Sequence, residues 1–481
     1  MSSKTDRSGV PGHLGFDEMF PTLVYLRKYR PKAIAEIEEV FEKARRFRRL
    51  YIDPNALRID RAVMNDPHYI ARDLVRYTAN DRFFTIMVPK MFGGVGYSFG
   101  AMMIGMEELA AGCLGIANLM GVHGLALSTV AATGDLGHME TICRELSESE
   151  RSGDPALLST AITEPSAGTD VEDIELLRKA RLACEATPVK GGYRLNGRKV
   201  FISNGSIART HIVIMVTDRK KPAESMWTFR VDSGTPGFSI GRVERKMGQK
   251  ACPAAELVFE DCFVPEKNRI GARPVAGRGV DMVLGATRGA VGVFGTGVAR
   301  GAYERALAYA RTHKIHGRWL IDEQWVQFRL TDMHRNVMMG RAAYIEAMLS
   351  NELFGLSSLI SAAPAAQEIM KKLPGVVFDN PVTKAFTHDP RVRAAVWKRI
   401  SGIPEWQSSA ACAYGEASKV LGTDVGMLNC GMAVDIMGAD GLRHDRGMEK
   451  LYRDAKLLQI YEGTNQLNRI EIYKHAASRA A

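Results

Sequence analysis

Tyr193-Arg194-Leu195-Asn196-Gly197-Arg198-Lys199-Val200-Phe201-Ile202 is where the chain changes character. Apolar residues stand on both sides of an Asn-Gly pair, the strongest short-range signal for a β-hairpin. The runs around it are of the same kind: His211-Ile-Val-Ile-Met-Val216, Ser225-Met-Trp-Thr-Phe-Arg-Val231 and Glu256-Leu-Val-Phe-Glu-Asp-Cys-Phe-Val264. Short strands with turn signals at close intervals predict a small β sandwich or barrel from about Leu157 to Gly271.

On either side of this block the period is helical. Ile34, Ala35, Ile37, Val40, Phe41 and Ala44 recur every three or four residues, and Met102 to Val122 continues in that style. The stretch Val88-Pro-Lys-Met-Phe-Gly-Gly-Val-Gly-Tyr97 reads as a loop between helices. After Gly279 helices return, with Ala299, Ala302, Tyr303, Ala306, Leu307 and Ala310 on one face. A second helix is expected from Gln324 to about Leu349 and a third from roughly Ser408 to Leu421. The reading is therefore an N-terminal helical domain over 1–156, a middle β domain over 157–275 and a C-terminal helical bundle over 276–481. Pro364, Pro374, Pro381, Pro390 and Pro404 mark an irregular excursion near 355–406.

A chain of 481 residues can bury several cores. No stretch reads as the ~20 uncharged apolar residues of a membrane span. Met1 to Phe16 lacks the apolar core of a secretory signal and the pattern of a transit peptide, so the expected location is cytoplasmic. Cys113, Cys143, Cys184, Cys252, Cys262, Cys412 and Cys430 form no CxxC pair, which argues against a disulfide framework and a zinc site; no metal is expected. The formal charge of +10 favours anionic ligands such as a polyphosphate cofactor or a CoA ester. The basic clusters Lys43–Arg49 and Arg391–Arg399 lack the interleaved aromatics of a nucleic-acid groove, so no nucleic acid is expected.

Near the end stands Tyr461-Glu462-Gly463-Thr464-Asn465-Gln466, just after the apolar run Leu457-Leu458-Gln459-Ile460. A carboxylate between a ring and a glycine-threonine turn is partly desolvated, which raises its pKa towards working pH and makes Glu462 a candidate base. Gly463 lets the backbone approach a ligand, and Thr464 and Gln466 add hydrogen-bonding groups. By itself the stretch is also an ordinary helix start. Thr163-Glu-Pro-Ser-Ala-Gly-Thr-Asp170 sets hydroxyls and small residues where a backbone passes close to a planar or phosphorylated ligand, or where a capping turn forms. Phe201 and Ser203 offer an aromatic face with a nearby hydroxyl, which suits a flat conjugated ring or a strand end in a core. Gly295-Thr-Gly297-Val-Ala-Arg-Gly301 imitates a dinucleotide fingerprint, but its third glycine is misplaced and no βαβ unit surrounds it. Close helix packing is expected there instead.

Taken in order from about Phe83 to Ile472, these motifs make the chain resemble an acyl-CoA dehydrogenase. Val88–Gly96 is similar to that family's N-terminal loop. Thr163–Asp170 resembles its TEPxAGSD signature with Thr169 for serine, and Lys199–Gly205 its K-x-W-I-T-N-G signature with Phe201 and Ser203 for Trp and Thr. Lys246-Met-Gly-Gln to Pro265 resembles the closing strands of the middle domain, and Arg453–Gln466 the C-terminal signature. The resemblance implies a C-terminal four-helix bundle, non-covalent FAD, and a homodimer or homotetramer in which the ADP half of FAD crosses a subunit boundary. It implies that Glu462 removes the α-proton of an acyl thioester while the β-hydrogen leaves as hydride to flavin N5. The product is a trans-2-enoyl-CoA, and electrons pass to an electron-transfer flavoprotein. Thr163, Phe201 and Ser203 would lie along the isoalloxazine, with Gln324, Thr464 and Gln466 as further FAD contacts. Thr169 would meet the CoA arm and the cofactor, and Arg288, Tyr461 and Gly463 would adjoin the substrate. Two departures fall on the ADP side: His313 stands where an arginine is usual, and the Q-x-x-G-G-x-G loop reads Asp435-Ile-Met-Gly438-Ala439-Asp440-Gly441. Rival readings are an acyl-CoA oxidase using oxygen and a DNA-associated flavoprotein of the alkylation-response type; diffuse basic residues speak against the second.

Overall fold

The structure, a computed structural model, describes residues 14–274, 278–355, 357–358, 373 and 375–480. Pro364 and Pro374 of the expected excursion lie outside them. The order helices, strands, helices holds throughout.

The first half is led by helices Pro31–Phe47, Phe99–Gly112, Leu114–Ala132 and Leu136–Arg151. In Pro31–Phe47 the face Ile34, Ile37, Val40, Phe41 and Ala44 is buried, as its period predicts, while Ala35, one residue round from Ile34, is exposed. Helices Phe99–Gly112 and Leu114–Ala132 are apolar on nearly every side because they are buried between elements. One expectation is corrected here. Leu114–Ala132, Met282–Thr312 and Glu405–Leu442 are long and apolar enough, by length and composition, to cross a membrane. Their apolarity has an internal use, since 72%, 89% and 56% of their respective most apolar stretches are buried within the protein.

The middle block is an eight-stranded mixed sheet made of β1 (Leu158–Ala161), β2 (Glu185–Val189), β3 (Gly192–Ser203), β4 (Thr210–Val216), β5 (Met226–Asp232), β6 (Phe238–Val243), β7 (Ala254–Pro265) and β8 (Arg269–Ile270). The path runs β6-β7-β3-β2-β4-β5-β8, and β1 joins β4 in parallel. Leu195, Phe229, Leu257 and Phe259 fill its core. Asn196-Gly197 is not a hairpin turn. The turn between β2 and β3 is Lys190-Gly191, with Gly191 at φ +84, and β3 runs straight through the Asn-Gly pair. Gly197, at φ +125, lies at a register shift against β7, where an added Cβ would be 2.6 Å from Cys184 Sγ. A bulge draws on the same tolerance of positive φ as a primed turn, which is why the dipeptide misleads.

The bundle consists of helices Arg278–Thr312, Gln324–Phe354, Glu405–Met437 and Met448–Leu458, with Asn465–Ala480 after them. The third is much longer than the expected Ser408–Leu421. Glycines let the first and third approach backbone to backbone: an added Cβ on Gly295 would lie 2.3 Å from Gly422 O, and one on Gly415 2.2 Å from Gly285 O. Gly297 and Gly301 press in the same way on Glu107 O and Ala111 O. The false dinucleotide fingerprint is thus a packing seam. Across the same seam Arg300 pairs with Glu107 and Glu108, and Arg341 with Glu107, all buried. The excursion supplies helices Pro381–His388 and Pro390–Ser401, which dock on Leu136–Arg151. There Thr387 bonds Glu140, Arg144 meets Asp379 at 3.4 Å and Arg393 meets Asp135 at 3.4 Å.

Candidate active site

The three blocks meet around a cavity of about 200 Å³. The N-terminal helices give it Met102, Met103, Met106 and His123; the sheet block gives Thr163, Phe201 and Ser203. The bundle contributes Thr287, Ala290 and Phe294, and the turn before the last helix contributes Tyr461 and Glu462. Five of the residues singled out in the sequence therefore share one wall system.

Glu462 has φ +55 and Gly463 φ +72, two left-handed residues in succession. For a non-glycine residue that conformation costs about 1–2 kcal/mol and persists only when its surroundings hold it. Asn468 Nδ2 donates to the carbonyls of Glu462 (3.4 Å), Gly463 (3.1 Å) and Thr464 (2.8 Å). Lys419 Nζ donates to Gly463 O, and Arg288 Nε donates to Glu462 O at 3.2 Å. The carboxylate, half-buried, accepts a bond from Thr287 Oγ1 at 2.8 Å. Both backbone and side chain of the candidate base are thus fixed from the bundle.

Arg288 is 1% exposed and does not end at the turn. Its Nη2 donates to Glu172 Oε2 at 3.1 Å and its Nη1 to Glu416 Oε1. Burial pushes Glu172 up to about 7, against the pull of Arg288 and with a push from Glu462. Burial lowers Lys419 to about 8, opposed by Glu172. Glu172, which also lines the cavity, Glu416, Lys419 and Thr287 were not singled out from sequence. Glu416 and Lys419 did carry a signal: they are charged, three residues apart, within an Ala/Gly-rich helix.

The sheet wall fits a flat, hydrogen-bonding ring system. Phe201 sits within an irregularity of β3, at φ +58, and the residue is 61% exposed although it lines the cavity. Thr163 and Ser203 line the same wall, and Thr160 Oγ1 there is buried without a partner among the described residues. An exposed aromatic face beside an unmade buried hydrogen bond matches the isoalloxazine of FAD in both shape and polarity. Behind this wall Lys199 pairs with Glu164 at 2.9 Å, and Glu164 accepts bonds from the amides of Ala183 and Cys184, which fixes the Thr163–Asp170 loop.

Not every expected contact gathers here. Thr169, Gln324, Thr464 and Gln466 lie outside the cavity lining; Gln324 and Gln466 are exposed at the starts of their helices. His313 stacks on Tyr309 with ring centroids 3.6 Å apart. Asp440 accepts a bond from Tyr309 Oη at 3.0 Å and pairs with Arg443, so its charge is matched locally. Asp435 is exposed. Asp60, His444 and Glu449 are clustered tightly enough for a cation, but Arg453 already pairs with Asp60 at 2.7 Å and Glu449 at 2.6 Å.

Three family models match in chain order. The N-terminal domain of acyl-CoA dehydrogenase matches residues 35–141, the middle domain 159–262, and the C-terminal domain 277–361 and 391–477. Acryloyl-CoA reductase (NADH) of Anaerotignum propionicum is 27% identical over 95% of this chain and 100% of its own. Cyclohex-1-ene-1-carbonyl-CoA dehydrogenase of Syntrophus aciditrophicus is 29% identical over 87% of this chain and 84% of its own. In fold, the chain is similar to butyryl-CoA dehydrogenase of Megasphaera elsdenii, with TM-score 0.70 and 23% identity over 92% of this chain and 98% of that one. The chain belongs to the acyl-CoA dehydrogenase family of FAD-dependent oxidoreductases.

Proposed function

We propose that this enzyme removes the α-proton and the β-hydride of an acyl-CoA thioester to give the trans-2-enoyl-CoA, with Glu462 as base. The observation that carries the reading is the placement of the Glu462 carboxylate, tied by Thr287, in one cavity with Phe201, Ser203 and Thr163. When bound, FAD supplies the acceptor for the hydride. The remaining work falls to the chain. Phe201, Thr163, Ser203 and Thr160 would hold the flat ring from the sheet side. Met102, Met103, Met106 and Phe294 exclude water from the acyl group, which strengthens every charge interaction in the cavity. A thioester α-proton is a weak acid, so the base must be held in one position, and the pinned turn does this. Arg288 offsets the carboxylates crowded around Glu462.

An electron-transfer flavoprotein is the acceptor we propose for the electrons. The exposed row Trp325, Phe328, Met338, Met339 and Leu353 on the second bundle helix supports a homo-oligomer, since so many large apolar groups on one helix rarely stay in water.

The test is anaerobic. FAD-loaded protein should bleach on addition of an acyl-CoA substrate. Glu462→Gln should keep its flavin spectrum while bleaching slows by about a thousand-fold or more. Bleaching at the wild-type rate in that variant would remove Glu462 from the base role.

A further inference from the structure

Helix Leu114–Ala132 carries a polar group that the proposed reaction does not use. His123 is 2% exposed, and neither Nδ1 nor Nε2 has a partner among the described residues. Its ring packs on Phe84, with centroids 4.7 Å apart, and it lines the same cavity as Glu462. It stands on the helical wall with the methionines, whereas the candidate flavin contacts stand on the sheet wall. Gly121 and Gly124 keep that wall low: an added Cβ would lie 3.0 Å from Phe294 Cζ or 3.1 Å from Met87 Cε.

Burial pushes His123 down to about 3, so the ring is neutral at working pH and offers one N–H donor and one acceptor nitrogen. Both are closed off from bulk solvent, so the ring holds an unmade donor and an unmade acceptor at the cavity wall. A purely apolar acyl chain would leave both nitrogens unpaired, the costliest way to bury an imidazole. An acyl group ending in a carboxylate has no better prospect. The charged side chains lining the cavity are Glu172 and Glu462, both acidic.

We propose that the cavity selects acyl groups bearing a neutral hydrogen-bonding function, such as a hydroxyl, ketone or amide, away from the thioester, and that His123 is the residue that receives it. This rests on the reading of the cavity as an acyl-CoA site.

The experiment compares ω-hydroxyacyl-CoA esters with n-acyl-CoA esters of equal heavy-atom count across a ladder of lengths. Dissociation constants are measured by calorimetry on the FAD-loaded enzyme carrying Glu462→Gln, so that no turnover intervenes. At the length that reaches His123, the hydroxyl ester should bind about ten-fold tighter than its partner. His123→Phe or His123→Leu should abolish or reverse that preference. The unsubstituted position alone decides the matter if neither variant folds. Equal binding at every length, or a preference that survives both substitutions, overturns the proposal. Bleaching of the enzyme with native Glu462 is followed with the same esters. No bleaching by any ester, with the hydroxyl preference intact, would defeat the dehydrogenation reading while supporting the role of His123. Bleaching without any preference would do the reverse.

Discussion

Replacing Gly463 by alanine tests whether the turn that carries Glu462 is held by the charges behind it. Two costs combine. The residue sits at φ +72, where an L side chain loses about 1 kcal/mol relative to glycine. The added Cβ would also lie 2.9 Å from Glu172 Oε2, 3.1 Å from Asn468 Nδ2 and 3.2 Å from Arg288 Nη2. Asn468 Nδ2 ties the turn, and Arg288 Nη2 and Glu172 Oε2 form the ion pair packed behind it; hydrogen bonds to charged groups are worth about 1.5–3 kcal/mol each. Moving one of them aside brings the total to about 2.5–4 kcal/mol. Gly447 provides the control. Its φ is +76, but an added Cβ would meet nothing closer than Leu57 Cδ2 at 3.5 Å, so only the backbone term of about 1 kcal/mol applies. Denaturant unfolding of FAD-loaded protein should show Gly463→Ala losing at least about twice what Gly447→Ala loses. Acyl-CoA bleaching should fall by about ten-fold or more in the first variant and stay near wild type in the second, because the first displaces the base. Equal destabilisation with unchanged bleaching would refute the argument that Asn468 and the Arg288–Glu172 pair packed behind Gly463 fix the turn.

Arg288→Met removes the cation shared by Glu172 and Glu416, and leaving buried carboxylates unpaired should cost about 3–5 kcal/mol in denaturant unfolding. Glu172 gives a pH signature. Its carboxyl is pushed from the ordinary value up to about 7 in the folded protein, so between about pH 4.5 and 7 the native state holds a proton the unfolded chain has lost. Stability from this group should therefore fall as pH rises through that window, by up to about 3 kcal/mol, and level off above it. In Glu172→Gln that fall should vanish from melting curves taken across the range; a curve parallel to wild type would show that Glu172 titrates normally.

What could be read in advance depended on whether the determining contacts were local. Glu462, Gly463, Thr163, Phe201 and Ser203 each belong to a short motif whose residue types state their chemistry, and all come together in the cavity or its turn. Arg288 was legible through its resemblance to a family position, yet its partners were not. Glu172 and Glu416 lie 116 and 128 residues from it, and no periodicity relates them. Gly197 was misread for a physical reason: positive φ serves a bulge as well as a turn, and the choice is made by Cys184 against its Cα. The long apolar helices were missed as span-length segments because glycine, serine and threonine dilute them, and those small residues are what permit the Gly295–Gly422 approach. Gln324, Thr464 and Gln466, expected as further FAD contacts, fall outside the cavity lining.

The excursion has a mechanical consequence. Pro381–His388 and Pro390–Ser401 belong to the C-terminal half by sequence, yet they are latched to the N-terminal helix Leu136–Arg151 through Thr387, Asp379 and Arg393. Residues 362–390 fall in the gap between the two segments matched by the C-terminal family model, so this latch is largely an addition to the shared plan. Separating the two halves means breaking these contacts together with the buried seam of Arg300, Arg341, Glu107 and Glu108. Heating should accordingly release both halves in a single step.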